Sequence, residues 1–150
     1  KILCSRCFDF VFNFFTSFGY FDQRHQHELA LHTMVTALKK DGILVMDYIN
    51  CVQASQHLIA REEKKIKETS FLIERYEDAR YIHKKITVSD PQQPSPIYFT
   101  EKVSKFSAKE LTELLQKQGM TLVEIKGDYL LQPFDEEKSP RMILVAKRES

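Results

Sequence analysis

Few residues in this sequence have the type and spacing to do chemistry, and most of those stand alone. Cys4 and Cys7 make a Cys-x-x-Cys pair around Ser5 and Arg6. In a redox centre such a pair opens a helix that follows a strand, where the helix dipole lowers the thiol pKa. Here an apolar run follows the pair instead, so the spacing reads as chance. A structural zinc site needs four ligands, and the sequence has no second Cys-x-x-Cys and no His-x-x-x-His. His25, His27 and His32 crowd one segment. On a helix, positions 27 and 32 point roughly 140° apart and do not converge on a metal, so no metal site is expected. Ser17 lacks the Gly-x-Ser-x-Gly surroundings of a hydrolase nucleophile. The four glycines, Gly19, Gly42, Gly119 and Gly127, form no Gly-x-Gly phosphate cradle. Arg75 and Lys85 fall on the polar faces of strand-like segments. They suit an anionic ligand, although a solvated charge is the commoner fate of such residues. Lys64-Lys65-Ile66-Lys67 is basic, but Glu62, Glu63 and Glu68 neutralise it, as on a solvated helix or the approach to a strand.

The frame for these residues is an ordinary globular one, with 43% hydrophobic and 29% charged residues. A net charge of +1 gives no electrostatic case for nucleic acid or an anionic membrane. No apolar run approaches the ~20 residues of a membrane helix. Three cysteines without framework spacing point to a reducing, cytoplasmic setting. The opening Lys1-Ile2-Leu3-Cys4 is neither a methionine start nor a basic-then-apolar leader. It reads as a chain processed or cut from a longer one.

Phe8 to Phe15, FDFVFNFF, is a short run apolar on both faces, as in a strand buried inside a parallel sheet. A helix is predicted over Gln26 to Lys40, with Leu31, Val35 and Leu38 in one stripe and Met34 beside them. Lys39 and Lys40 suit its C-terminal dipole end, and Asp41-Gly42 stops it. Ile43 to Ile49 is a second buried strand, which completes a βαβ unit. A short helix is predicted over Cys51 to Ala60. Three stretches then alternate with period two: Glu68 to Tyr76, Tyr81 to Ser89 and Ile97 to Phe106. They predict a three-stranded antiparallel insert over residues 64–106, lying over the main sheet, with a turn at Glu77 to Arg80 and a loop at Asp90 to Pro96. Ser107 and Glu110 make a capping box for a helix whose buried stripe is Leu111, Leu114 and Leu115, ended by Gly119. Met120 to Lys126 and Arg141 to Lys147 are strands with no helix between them.

This order resembles the C-terminal part of the Rossmann-like fold of class I S-adenosylmethionine-dependent methyltransferases. FDFVFNFFTSFGYF looks like their fourth strand and its loop, ALKKDGILVMDYIN like their helix end, turn and fifth strand, and GDYLLQPFDEEKSPRMILVAKR like the closing region of a bacterial subgroup. Lys40-Asp41-Gly42 stands where the family often carries Lys-Pro-Gly-Gly. The resemblance implies an α/β sheet in the family order 4-5-7-6, with residues 1–150 a partial methyltransferase domain. The family's glycine-rich loop, its ribose-binding acid and its adenine contact are not in this sequence. A chain of this extent is therefore expected to bind the cofactor very weakly and to be inactive alone.

The resemblance also implies roles. Asn13, Phe14, Thr16 and Ser17 would flank the methionine part of S-adenosylmethionine, and Phe18 and Tyr20 would wall the pocket. The plain alternative makes Phe14 and Phe18 core and Ser17 a turn residue. Asn50 would face the methyl acceptor, expected to be a small molecule, or else cap the next helix. Arg75 and Tyr129 complete the acceptor side, and Arg141 is expected to pair with Asp128 or Asp135. Methyl transfer from a sulfonium needs positioning and exclusion of water rather than a nucleophilic triad. With its neighbouring strand missing, Phe8–Phe15 would be an orphan edge, and a homodimer through it is expected. The competing reading is a non-enzymatic α/β interaction or oligomerisation module.

Overall fold

The computed structural model describes residues 4–149. Lys1 to Leu3, on which the reading of the leader rests, lie outside them, as does Ser150. The chain forms two compact units, one of Lys1–Ala54 with Phe106–Ser150 and the other of Ser55–Lys105.

The first unit is a four-stranded sheet of β1 (Phe8–Asn13), β2 (Leu38–Ile49), β7 (Met120–Lys126) and β8 (Arg141–Arg148), in the order β1-β2-β8-β7. β1 and β2 run parallel, and β8 runs antiparallel to both β2 and β7. That is the 4-5-7-6 order that the resemblance implies. Helix α1 (Arg24–Ala37) crosses from β1 to β2, and α3 (Ala108–Lys117) precedes β7. They lie beside each other: His32 Nδ1 is 3.0 Å from Gln118 Oε1, and Lys117 reaches Glu28. Alternate residues of the central strands make the core. Leu44, Met46 and Tyr48 of β2 stand opposite Ala146, Leu144 and Met142 of β8, and all six are buried. Leu111, Leu114 and Leu115 of α3 join them. The Ser107–Glu110 box is present, with Glu110 N donating to Ser107 Oγ at 3.2 Å and Ser107 N to Glu110 Oε2 at 2.9 Å. Past the C-cap, Gly119 adopts φ 74°, which glycine tolerates without a Cβ clash.

Three expectations need correction here. α1 stops at Ala37, because Leu38 is already extended (φ −73°, ψ 142°) and fully buried at the start of β2. Asp41-Gly42 therefore lies inside a strand. Asp41 takes φ 60°, and the β1 register slips between the pairs Phe8–Leu38 and Phe10–Ile43. Lys39 meets Asp9 across the strands at 2.9 Å rather than a helix end. β1 ends at Asn13, and its apolar residues are not enclosed. Phe10 and Phe12 are 57% and 56% exposed, and the rings of Phe10, Phe12 and Phe14 follow one another at 6.1 and 5.2 Å. Finally, Cys4 and Cys7 are paired as a disulfide, their Cα atoms 6.0 Å apart, so the spacing is not idle.

The second unit is one antiparallel sheet of four strands, not three: β3 (Arg61–Ile66), β4 (Thr69–Glu77), β5 (Tyr81–Ser89) and β6 (Ile97–Ser104). The extra strand is the charged segment REEKKI. As an edge strand it needs only one paired side, and Arg61–Glu63 and Lys64–Glu62 ion pairs decorate it. α2 (Cys51–Gln56) is shorter than expected. The turn after β4 is fastened by Asp78, whose Oδ1 accepts from Arg80 N and Tyr81 N at 2.7 and 2.8 Å. Among the described residues no helix is long and apolar enough to cross a membrane.

Candidate functional site

In an open α/β sheet, ligands collect beyond the carboxyl ends of the parallel strands. Here those ends are Asn13 on β1 and Asp47 to Ile49 on β2, with Asn50 just beyond it. Asp47, near the end of β2, is the one acid among the described residues that is buried, and it is fully so. A buried carboxylate is tolerated only when paired and hydrogen-bonded, and Asp47 is both. Oδ1 accepts from Arg141 Nε at 2.7 Å, and Oδ2 accepts from Tyr129 Oη at 2.9 Å and from Phe15 N at 2.8 Å. Its backbone oxygen accepts from Thr16 N at 3.0 Å. Arg141 also donates through Nη2 to Thr16 Oγ1 at 2.9 Å, and its guanidinium stands 5.9 Å from the centre of the Tyr129 ring.

These bonds converge on an uncommon backbone. Phe15 and Thr16 both adopt the left-handed conformation, at φ 57° and 55°. For residues with a Cβ that costs on the order of 1–2 kcal/mol each. Two amides held by Asp47 and one hydroxyl held by Arg141 offset it. The closing segment holds the other end of the network. Gly127 O accepts from Arg141 N, and a Cβ at Gly127 would overlap the Ser139 hydroxyl, so only glycine fits.

The expected partners of Arg141 are otherwise occupied. Asp128 Oδ1 accepts from Leu130 N and Gln132 N, and Asp135 Oδ1 from Glu137 N and Lys138 N, an arrangement that holds the Asp135 carboxyl below its ordinary value. Arg141 therefore pairs with Asp47. Loss of water around the phenol and its bond to Asp47 raise the Tyr129 pKa, against the opposing charge of Arg141, which keeps the hydroxyl a donor.

The sequence-predicted residues distribute as follows. Asn13 is nearly buried, and its Oδ1 has no hydrogen-bond partner among the described residues. Phe14 is exposed beside Phe15, Thr16 is buried, and Ser17 is exposed with its amide donating to Phe14 O at 3.2 Å. Phe18 lies in the core, among the rings of His27, Tyr48 and Phe106. Tyr20 is exposed. Asn50 is buried and engaged at both ends of its amide: Nδ2 donates to Glu136 O and Ser139 O, each at 2.7 Å, and Oδ1 accepts from Val52 N at 3.2 Å. That geometry ties down the closing segment and caps α2. Arg75 stands in the second unit, paired with Glu62 at 3.0 Å, and Lys85 lies 5.3 Å from the Tyr76 ring centre. The structure thus brings Asn13, Thr16 and Tyr129 to one end of one sheet.

Sequence reasoning gave Asp47 no role and weighed His27 only as a metal ligand. Asp47 carries a signal in retrospect, since a lone acid in a buried run must find a cation. His27, on the buried face of α1, is ringed edge-on by Phe18, Phe21 and Phe106 at 5.0 to 5.3 Å. Burial lowers its pKa, against backbone groups of Gly19 and Gln23 that raise it. Burial likewise raises that of the adjoining Tyr48. Among the described residues no cluster of His, Cys, Asp or Glu could hold a metal.

No protein-family model matches the sequence, and a search of curated proteins finds no relative. Solved structures do match. An S-adenosylmethionine-dependent methyltransferase from Clostridium acetobutylicum superposes with a TM-score of 0.83 at 13% identity, over 100% of this chain and 62% of that one. The CcbJ methyltransferase from Streptomyces caelestis gives 0.78 at 17% identity, over 100% and 64%. S-adenosylmethionine-bound CalS10, an amino pentose methyltransferase from Micromonospora echinaspora, gives 0.63 at 15%, over 99% and 60%. The chain has the fold of part of a class I methyltransferase, and it spans about three fifths of the length of these proteins.

Proposed function

We propose that the whole protein is an S-adenosylmethionine-dependent methyltransferase acting on a small molecule, and that this chain supplies its strands four to seven. The observation that carries the reading is the buried, unpartnered Oδ1 of Asn13. It sits at the carboxyl end of β1, beside the left-handed turn, in a sheet of methyltransferase order. An acceptor left without a donor is costly unless a ligand completes it, and the ammonium of a bound methionine moiety is a fitting donor. Ser17 and Phe14 would border the same moiety. When bound, the cofactor supplies an electrophilic methyl group on sulfur. The chain's own residues orient it, and the aromatic side chains of Phe14, Phe18 and Tyr20 exclude water from the transfer. Tyr20 and Tyr129, both exposed, remain for the acceptor side, whereas Asn50 acts through the closing segment. The amino pentose acceptor of CalS10 makes a small amine the first class to try. A cytoplasmic setting belongs to the same reading.

Calorimetry with S-adenosylhomocysteine on the full chain tests this. Binding is expected, weakened about tenfold by Asn13→Ala, and residues 1–150 alone should bind far more weakly. A full chain that does not bind sinks the reading.

The alternative, an interaction or oligomerisation module, draws on the Phe8–Phe14 ladder. Burying each phenylalanine is worth roughly 1.5–3 kcal/mol, so the free edge of β1 calls for a partner strand. In the whole protein the remaining two fifths of the relatives' length can supply it. For residues 1–150 alone we propose a homodimer through this edge. Light scattering that finds a stable monomer at tens of micromolar would remove the homodimer.

A further inference from the structure

We propose that Asp47, Tyr129 and Arg141 are positioning residues that latch the loop after β1 into its cofactor-facing conformation. The inference deepens the methyltransferase reading and rests on it. Asp47 stands on β2, Tyr129 and Arg141 on the closing segment and β8, and their bonds end on two consecutive residues of a third element, Phe15 and Thr16. Every donor around the Asp47 side chain points at it, so a neutral group there cannot satisfy all of them. Arg141 is the one cation in the set, and its planar guanidinium serves Asp47 through Nε and Thr16 through Nη2 at once. A lysine cannot make both bonds from one point charge. The Tyr129 hydroxyl fills the second lone pair of Oδ2 beside the Phe15 amide. Because Phe15 and Thr16 sit in a conformation that disfavours side chains, the loop keeps its path only while the latch holds. Asn13 and Ser17, at either end of that path, then keep their separation. The sites that touch the cofactor and the sites that fix them are therefore different residues, and two of the three fixing residues come from the far end of the sequence.

The test uses the full chain with Asp47→Asn, Tyr129→Phe and Arg141→Lys. Each is read by S-adenosylhomocysteine calorimetry, by thermal melting and by hydrogen exchange at the Phe15 and Thr16 amides. Asp47→Asn and Arg141→Lys should weaken binding about tenfold or more, and Tyr129→Phe several-fold, as expected for unsatisfied buried groups. Exchange at Phe15 and Thr16 should quicken in the three weakened variants, and in Tyr129→Phe it should do so with little change in melting. Variants that bind like the wild type overturn the proposal. So does weakened binding with unchanged exchange at both amides, since the loss would then arise elsewhere. If the wild type itself does not bind, the methyltransferase reading falls, and the exchange data alone decide whether the latch exists.

Discussion

The first unit packs helices against its sheet, while the second is a single antiparallel sheet with no helix between its strands. In the first, every second residue of β2 and β8 disappears from solvent. In the second, Ile73 is the one described residue counted among the buried core. The difference follows from sequence pattern. ILVMDYI and MILVA are continuous apolar runs, which need cover on a face. YIHKKITVS alternates, so half of its side chains tolerate water. The deep sheet can hold a fully buried acid and a strained turn, because its packing over-determines them. The shallow one stabilises its turns with exposed charges, as Asp78 does.

The largest effect should come from the core. Leu144→Ala is expected to cost about 2–5 kcal/mol in denaturant unfolding, and Leu72→Ala, half-buried on β4, less than half as much. Equal costs would break the contrast between the units. Gly127→Ala comes next, at about 1–3 kcal/mol, since its new methyl meets Ser139 and comes within 3.0 Å of Pro133 O. Adding Ser139→Gly to the same chain should recover part of the loss. Ser107→Ala removes one half of the α3 capping box and should lower stability by about 1 kcal/mol, measurable as a fall in melting temperature.

The smallest effect sharpens the comparison through pH. The hydrogen bond with His83, followed by those from the Arg80 and Tyr81 amides, pulls the Asp78 pKa down to about 2. A depressed carboxylate contributes stability above its unfolded value of 3.8, and that contribution is lost as pH falls toward the folded value. Asp78→Asn should therefore melt lower than the wild type at neutral pH, with the gap closing between about pH 4 and 2. A gap that persists at pH 2 would assign the turn's stability to something other than the charge.

The elements of the first unit were legible because long apolar runs and a capping box mark them, while their order in the sheet came from the family resemblance. β3 was not, because an edge strand buries little and REEKKI carries no apolar period. The end of α1 was misplaced because Asp41-Gly42 is a common helix stop, while the burial of Leu38 on the sheet decided the matter. The loop after β1 stood out through the resemblance, but the residues that bond to it did not. Arg141 lies 94 positions from Asp47, and nothing local to either one names the other. Arg141 was instead assigned to nearby acids, which the turns of the closing segment consume.

The pairing of β2 with β8 has a consequence for synthesis. Ile49 meets Arg141 in the ladder, so roughly ninety residues must follow β2 out of the ribosome before its second edge is covered. At about 5–20 residues per second that delay is on the order of 5–20 s. Throughout it the hairpins of the intervening unit can close on near neighbours, while β2 waits beside the phenylalanines of β1. A nascent chain stalled anywhere before Arg141 would present an open apolar sheet, the species that holdase chaperones recognise and that aggregates in their absence.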